Sequence, residues 1–307
     1  MKKSLLKEVS YERLVRQGIR LLEGIITSMV LLLFLGCIAF GGYAMWDSNQ
    51  LYVDADTTQY EQYKPKDKDT RSFTELKAIN KDVIGWLSVY GTNIDYPLVQ
   101  AEDNETYVNT SVTGEQMLSG SIFLDYRNQP DFSDFNSIIY GHHMSNQVMF
   151  GEIGDFQDEL YFKEHQYGKL YDGQQEYGIE FFAFIEADAY DKSVYAPAIT
   201  ETDRQQEYLA GLFEKALHTR EIETGRLDRF VLLSTCTSSA TNGRHILVGQ
   251  LSDKVYDDPF LKERIVGAFE NVDGFWTQPL FWVFITVLVF ADMWLVVKRC
   301  RERKEKT

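Results

Sequence analysis

Two long apolar runs lie near the ends of the 307-residue chain. The first, residues 25–43, contains no charged residue, and the second, residues 275–297, contains Asp292 as its one ionisable residue. Each matches the ~20 apolar residues that a helix needs to cross a bilayer. Core helices of soluble proteins rarely lack charges for so long, so the pattern predicts transmembrane helices at residues 25–45 and 275–297.

Lysines and arginines flank both predicted spans on the sides that face the chain ends. Six precede the first span and six follow the second: Lys2, Lys3, Lys7, Arg13, Arg16, Arg20, Lys298, Arg299, Arg301, Arg303, Lys304 and Lys306. Since such residues are retained in the cytoplasm, tails 1–24 and 298–307 are predicted to be cytoplasmic and the region between the spans extracellular. The long polar first tail, without a clear small-residue cleavage site, favours a retained anchor over a cleaved signal peptide. The sequence therefore predicts a two-pass protein of the cell membrane.

Short apolar segments separated by turn residues fill the extracellular region. Eight are predicted to be strands: Val83 to Tyr90, Ile94 to Val99, Ser121 to Asp125, Ser137 to Tyr140, Lys169 to Tyr171, Gln175 to Glu186, Phe230 to Thr235 and His245 to Leu251. Helical spacing begins at Ser72 and recurs near residues 149–156 and 204–218. Many short strands with few helices predict a mainly β fold, a closed or nearly closed β-barrel with short helical insertions.

Polarity divides the extracellular region into a domain and two linkers. Residues 46–72 are mostly polar and lack an apolar period, so they are predicted to be a linker. Residues 73–256 contain all the predicted strands and are the size of one domain. Residues 257–274 form the second predicted linker.

Acidic residues outnumber basic ones, with 46 Asp and Glu against 31 Lys and Arg and a formal net charge of −15. Twelve of the basic residues belong to the two tails. The extracellular region is thus more acidic than the whole chain, and nucleic acid is excluded as an expected partner because that binding depends on basic side chains.

The three cysteines fall in different environments. Cys37 lies within the first predicted span and Cys300 lies at the cytoplasmic end of the second, which leaves Cys236 alone outside. A lone thiol in an oxidising compartment cannot form an intramolecular disulfide. Two explanations remain open from the residue type alone, a catalytic nucleophile and a buried, inert cysteine.

The surroundings of Cys236 favour catalysis. It ends an apolar strand, and Arg244 begins the next one after a small, polar loop. If these strands are neighbours, Arg244 returns beside Cys236 at the same edge of the barrel. A nucleophilic cysteine also needs a base, and an upstream apolar strand ends in Gly141 and His142. No metal is expected, since His142 and the adjacent His143 would face opposite sides and no further ligand has a useful spacing.

These residues resemble class B sortases. The resemblance covers about residues 73–251 and rests on Tyr140-Gly141-His142-His143, Leu233-Ser234-Thr235-Cys236, Arg244, Val83-Ile84-Gly85-Trp86, Gly91-Thr92-Asn93-Ile94-Asp95-Tyr96-Pro97 and Gly120-Ser121-Ile122-Phe123-Leu124-Asp125-Tyr126-Arg127-Asn128. It implies an eight-stranded sortase-type barrel, here flanked by two transmembrane helices, and a transpeptidase without a cofactor. Such enzymes cut the C-terminal sorting signal of a secreted protein after threonine, hold the acyl group as a thioester and pass it to an amine of peptidoglycan or of a pilin.

The resemblance also implies roles for individual residues. Cys236 corresponds to the nucleophile, His142 to the general acid and base, and Arg244 to the residue that steadies the oxyanion or positions the substrate. The positions that match the family's peptide groove are Asn104, Val108, Tyr140, Tyr195 and Ser234.

One feature departs from class B. A second membrane span is more usual in class C sortases, which polymerise pilins and carry an Asp-Pro-aromatic lid ahead of the barrel. Here Asp258-Pro259-Phe260 follows the cysteine, so it is interpreted as a turn and not as a lid. The sequence leaves open wall anchoring and pilin polymerisation, as well as a cysteine hydrolase and a non-enzymatic adhesion or scaffold module.

Overall fold

The structure, a computed structural model, describes residues 2–66, 70–222, 228–237 and 242–261, with side chains from Val15 onward. The chain divides into two compact units, Met1–Tyr256 and Asp257–Thr307. The second predicted span, 275–297, and the tail 298–307 lie outside the described residues, as does Cys300.

One helix, α1 (Lys2–Ala55), begins the described chain and runs for 54 residues. Its segment Val15–Ala55 is long and apolar enough to cross a membrane, and none of its apolar window is buried against protein. This segment includes the first predicted span. Among the described residues it is the one helix with these properties.

The segment predicted as a linker is more ordered than its composition indicates. Helix α1 continues to Ala55, and two 3-10 turns follow at Thr57–Gln59 and Glu61–Tyr63. Ala55 and Tyr60 are buried in the main hydrophobic core. The difference arises because aromatic residues dispersed among the polar ones pack onto the domain, so the connection from α1 to the barrel is short and folded.

Nine strands and three further helices make up the rest of the described chain. The strands are β1 (Val83–Val89), β2 (Asp95–Val99), β3 (Ile122–Leu124), β4 (Asn136–Tyr140), β5 (Tyr167–Tyr171), β6 (Glu176–Asp188), β7 (Ala216–Thr219), β8 (Arg229–Cys236) and β9 (Gly243–Ser252). The helices are α2 (Arg71–Ile79), α3 (Glu159–Glu164) and α4 (Thr202–Lys215), with further 3-10 turns at Thr106–Val108, Ser145–Gln147 and Gly151–Gln157.

The strands form a closed barrel. Their order is β5-β1-β2-β3-β4-β8-β9-β6-β7, and β5 also pairs with β6, which closes eight of the strands into a ring. Two neighbouring pairs, β2 with β3 and β4 with β8, are parallel, and the other pairs are antiparallel. The predicted eight-stranded barrel is confirmed. Strand β7 lies outside the ring on β6, where the sequence predicted the end of a helix.

Strand β8, which carries Cys236 at its end, is buried on both faces. Val231 and Leu233 belong to the core inside the barrel, whereas Phe230 and Leu232 belong to a second core that includes Tyr208 and Leu212 of α4. A strand covered on both faces reads as a continuous apolar run. The packing therefore holds the nucleophile candidate rigidly from behind.

Candidate active site

Three strand ends meet at one edge of the barrel. Strands β4 and β8 run parallel, with Tyr140 opposite Ser234, and the backbone N–H of Gly141 donates to the Ser234 carbonyl (3.2 Å). Strand β9 then returns antiparallel to β8, with Arg244 opposite Cys236. The predicted return of Arg244 beside Cys236 is confirmed.

The three strand ends border a cleft of about 390 Å³. It is lined by Asn104, Val108, Phe123, Arg127, Tyr140, Gly141, His142, Ala189, Tyr195, Ser234, Thr235, Cys236 and Arg244. All eight site residues named from the sequence are among these, including Tyr195. The other five were not predicted to be site residues, although all of them except Ala189 lie within the motifs that carry the resemblance.

The ring of His142 is oriented by a backbone group. Its Nε2 lies 2.8 Å from the carbonyl oxygen of Val108, and a carbonyl can only accept, so Nε2 carries the proton. In the neutral ring, Nδ1 is then the nitrogen with a free lone pair. The next loop supports the same residue, since the N–H of Phe150 donates to the His142 carbonyl (3.0 Å).

Gly141, the residue before His142, has no room for a side chain. A Cβ at this position would lie 2.5 Å from Ile122 Cδ1 and 2.7 Å from Phe150 Cδ2. Both neighbours are buried, so they cannot move aside freely. The glycine before the histidine therefore has a steric cause.

His143 lies in different surroundings from His142. It forms a β-bridge with Met149, and its Nδ1 is buried without a partner in the part of the chain that the structure describes. His143 and His245 both approach Gly154, as their distances to a Cβ built there show (4.0 Å and 3.2 Å). The two adjacent histidines thus lie in different environments, and of the two only His142 lines the cleft. The described residues contain no group of three His, Cys, Asp or Glu side chains that could hold a metal ion.

Tyr195 and Ser234 form one wall of the cleft. The Tyr195 hydroxyl lies 2.8 Å from Ser234 Oγ, and its ring stacks on Tyr140 with centroids 6.3 Å apart. Burial raises the pKa of Tyr195 to about 12, so the phenol stays neutral and able to donate. Tyr195 is far in sequence from the ends of β4 and β8, and only the fold brings it to the cleft that contains the Cys236 thiol.

Asp125 holds three other residues of the cleft lining. Its carboxylate is fully buried and accepts hydrogen bonds from Asn104 Nδ2 (3.0 Å), the Tyr140 hydroxyl (3.0 Å) and Arg127 Nε and Nη2 (2.9 and 2.7 Å). Burial raises the pKa of Asp125, but the hydrogen bonds from Arg127 and Asn104 outweigh it and hold the pKa below its usual value. The carboxylate is therefore charged. Sequence reasoning missed this role because one carboxylate in a motif does not reveal its partners.

Cys236, His142 and Arg244 have the three side-chain types that acyl transfer needs. Cys236 is exposed at the cleft, so its sulfur is accessible to a substrate. A thiol supplies a nucleophile, an imidazole exchanges protons and a guanidinium stabilises a developing oxyanion. The guanidinium of Arg244 donates to the Gly243 carbonyl (2.9 Å) and makes no ion pair with a carboxylate of the described residues.

Comparisons with known proteins agree with this geometry. The Sortase domain family model matches residues 87–252. A curated protein named Sortase B from Listeria monocytogenes is 34% identical over 182 residues, which cover 59% of this chain and 74% of the relative. Two similar crystal structures have higher identity. Sortase B from the type II pilus of Streptococcus pneumoniae is 49% identical, with a TM-score of 0.53 over 59% of this chain and 99% of that one. A class B sortase involved in pilus biogenesis in Streptococcus pyogenes is 45% identical, with a TM-score of 0.54 over 59% of this chain and 97% of that one.

Proposed function

The chain belongs to the sortase family, with class B sortases as its relatives, and we propose that it is a membrane-anchored transpeptidase that cleaves sorting signals after threonine. One observation carries the proposal: Cys236, His142 and Arg244 line a single solvent-open cleft at the edge of the barrel. The proposed nucleophile and the two supporting groups come from three separate strand ends. The fold therefore brings together residues that are not neighbours in sequence, which a chance local arrangement does not explain.

The first half of the reaction is acylation. The Cys236 thiolate attacks the threonine carbonyl carbon and forms a tetrahedral oxyanion. The C–N bond then breaks, and protonated His142 gives its proton to the leaving amine, which leaves a thioester on Cys236 and a neutral imidazole. Because Nε2 donates to Val108, Nδ1 is the nitrogen proposed to exchange this proton.

The second half of the reaction is transfer. An acceptor amine attacks the thioester carbonyl carbon and gives a proton to neutral His142, and the C–S bond breaks to release the thiolate. The product is a new amide bond, and the enzyme returns to its starting charge state. Arg244 stabilises the oxyanion in both halves, because its charge is not neutralised by a carboxylate of the described residues.

The rest of the cleft is proposed to hold the sorting peptide. Asn104, Val108, Tyr140, Tyr195 and Ser234 all line it. The apolar lining contributes burial, and the polar groups set the register of the peptide backbone. The proposed partners are thus secreted proteins with a C-terminal sorting signal.

Helix α1 is proposed to anchor the enzyme so that the cleft faces the cell exterior. Its apolar segment is long enough to cross the bilayer. A second span at 275–297, with both termini cytoplasmic, remains a proposal from the sequence pattern. The cleft would then act on proteins as they emerge from the membrane.

A pilin is proposed as the acceptor in preference to peptidoglycan. The observation that favours it is the identity to two structures from pilus systems, 49% and 45%, against 34% for the Listeria monocytogenes relative. A lysine-containing peptide and a peptide with a free N-terminal glycine are the two amine probes that separate these roles.

Intact-protein mass spectrometry tests the proposal. The full-length enzyme in detergent micelles is incubated with peptides that carry threonine at a central position, and the expected result is an acyl adduct that is absent in Cys236→Ala. Cys37→Ala is the matched control, because Cys37 lies in α1 away from the cleft, and it should retain the adduct.

The acceptors then distinguish the alternatives. Transfer to the lysine peptide supports pilin polymerisation, and transfer to the glycine peptide supports wall anchoring. Release of free acid with both amines present would indicate a cysteine hydrolase. If no peptide forms an adduct on Cys236, the enzyme proposal fails and the adhesion or scaffold alternative gains support.

A further inference from the structure

Asp125 takes no part in the chemical steps above, yet it is among the most highly coordinated side chains near the cleft. Its exposed fraction is 0%, and its carboxylate binds Asn104, Arg127 and Tyr140, each of which lines the cleft. Its Oδ1 also accepts the backbone N–H of Arg127 (3.0 Å). A buried charge held by this many donors fixes the positions of all its partners.

Arg127 is the partner that can reach a substrate. Its side chain is 43% exposed and lines the cleft, while its Nε and Nη2 make a two-point contact with Asp125. The guanidinium also lies over the Tyr126 ring, at 5.8 Å from the centroid. Nη1 has no bond to the carboxylate, so it keeps its donors for another acceptor.

The two arginines of the cleft differ in charge balance. Arg127 is paired with a buried carboxylate, so the pair is close to neutral as seen by a peptide in the cleft. Arg244 has no such carboxylate partner among the described residues. A neutralised guanidinium still donates hydrogen bonds, but it attracts an anion much less than a free one does.

We propose that Arg127 is a substrate-binding residue that donates to a neutral oxygen of the sorting peptide, and that Asp125 is the positioning residue that both orients Arg127 and cancels its charge. The inference rests on the proposed function and assigns a charge-selective subsite within the same cleft. It follows that Asp125 sets the selectivity against acidic peptides.

Opposite effects are expected from the two members of the pair. Asp125→Asn leaves the guanidinium uncompensated, so selectivity shifts toward acidic peptides. Arg127→Gln leaves the carboxylate uncompensated, so selectivity shifts away from them. The double variant restores the balance of charge and should return selectivity toward that of the wild type.

The test compares kcat/KM for peptide pairs that carry Gln or Glu at each position around the central threonine, using the full-length enzyme with hydroxylamine as acceptor. At one position, the Glu/Gln ratio of kcat/KM should rise about tenfold in Asp125→Asn and fall about tenfold in Arg127→Gln, as expected for one unit charge changed within a partly screened site. Arg204→Gln is the matched control, since Arg204 is an exposed arginine in a surface ion pair outside the cleft, and it should leave every ratio unchanged.

The outcomes separate the inference from the function on which it rests. If the wild type cleaves peptides but the ratios are the same in all variants, or both single variants shift them in the same direction, the subsite assignment is overturned. If Asp125→Asn does not fold, the exposed Arg127→Gln still decides the question by its fall in the ratio. If the wild type forms no product from any peptide, the proposed function fails first and the inference fails with it.

Discussion

Replacing Tyr96 by phenylalanine tests how helix α1 is joined to the loop that follows His142. The Tyr96 ring is almost fully buried, and its hydroxyl donates to the carbonyl of Ala55 (3.0 Å) and accepts from the N–H of Met149 (2.9 Å). Ala55 is the last residue of α1, whose terminal carbonyls have no partner within the helix. One hydroxyl therefore connects the end of α1 with the segment beyond the histidine.

The magnitude follows from the two hydrogen bonds. Each contributes ~0.5–1.5 kcal/mol net, and a buried partner left unsatisfied costs about 1–3 kcal/mol. Ala55 and Met149 are both buried, so neither backbone group gains water easily when the hydroxyl is removed. The phenylalanine ring preserves the packing. Because the variant no longer buries a polar hydroxyl, the desolvation cost of that group disappears and offsets part of the loss. We expect Tyr96→Phe to lower the free energy of unfolding by about 2–3 kcal/mol.

Equilibrium denaturation of the full-length protein in micelles measures this change. An m-value equal to that of the wild type shows that both proteins expose the same surface on unfolding. Hydrogen exchange at the Met149 amide should accelerate as well, because its acceptor is gone. Tyr190→Phe is the matched control, since its side chain is 77% exposed and its hydroxyl lies in solvent. A loss below about 0.5 kcal/mol together with unchanged exchange at Met149 would refute the reasoning, as that is the range of ordinary surface substitutions.

Three further predictions concern the site and its surroundings. Arg244→Lys should slow acylation by ~10²–10³ despite the retained charge, because lysine lacks the planar fork of donors, as rapid-mixing mass spectrometry of the thioester will show. Gly141→Ala should cost about 1–3 kcal/mol in denaturation experiments, because its Cβ would overlap Ile122 and Phe150. Burial lowers the pKa of His245 from its ordinary value of 6.5, so the unfolded state binds more protons between the two pKa values and the free energy of unfolding should rise with pH there. His245→Gln should flatten that rise in denaturation midpoints measured across the window.

Each of these predictions has a result that would contradict it. Acylation by Arg244→Lys within about threefold of the wild type would mean that Arg244 supplies only screened, long-range charge. Gly211→Ala is the control for Gly141→Ala, because a Cβ there meets nothing within 4 Å and should stabilise α4 by ~0.5–1 kcal/mol. For His245, equal slopes in the wild type and the variant would show that the proton uptake belongs to another group.

Local sequence patterns were sufficient to predict much of the fold. Each of the eight predicted strands overlaps an observed one, because strand length and apolar content are properties of neighbouring residues. The return of Arg244 to Cys236 was also predictable, since a short loop between consecutive strands makes them antiparallel neighbours. The catalytic roles of these residues stay predictions, although the structure places them in one cleft.

Other features depend on contacts between distant parts of the chain. Strand β7 follows α4 directly, and its pairing with β6 overrode the helical pattern of the sequence. The buried position of Tyr60 was hidden in a polar segment, because a single aromatic residue does not show which surface it will cover. Such outcomes are decided by tertiary packing.

The sequence by itself determined the apolar span, the strands and the residue types able to do thiol chemistry, since periodicity and composition are local. Only the tertiary structure decided that Tyr195 faces Ser234, that His142 is oriented by Val108, and that Asp125 collects its three partners. Apart from the contact between Asp125 and Arg127, these contacts join residues that are 15 or more positions apart in the chain, and closure of the barrel sets their distances. The physical reason is that hydrogen-bond partners are selected by three-dimensional proximity, which no local pattern encodes.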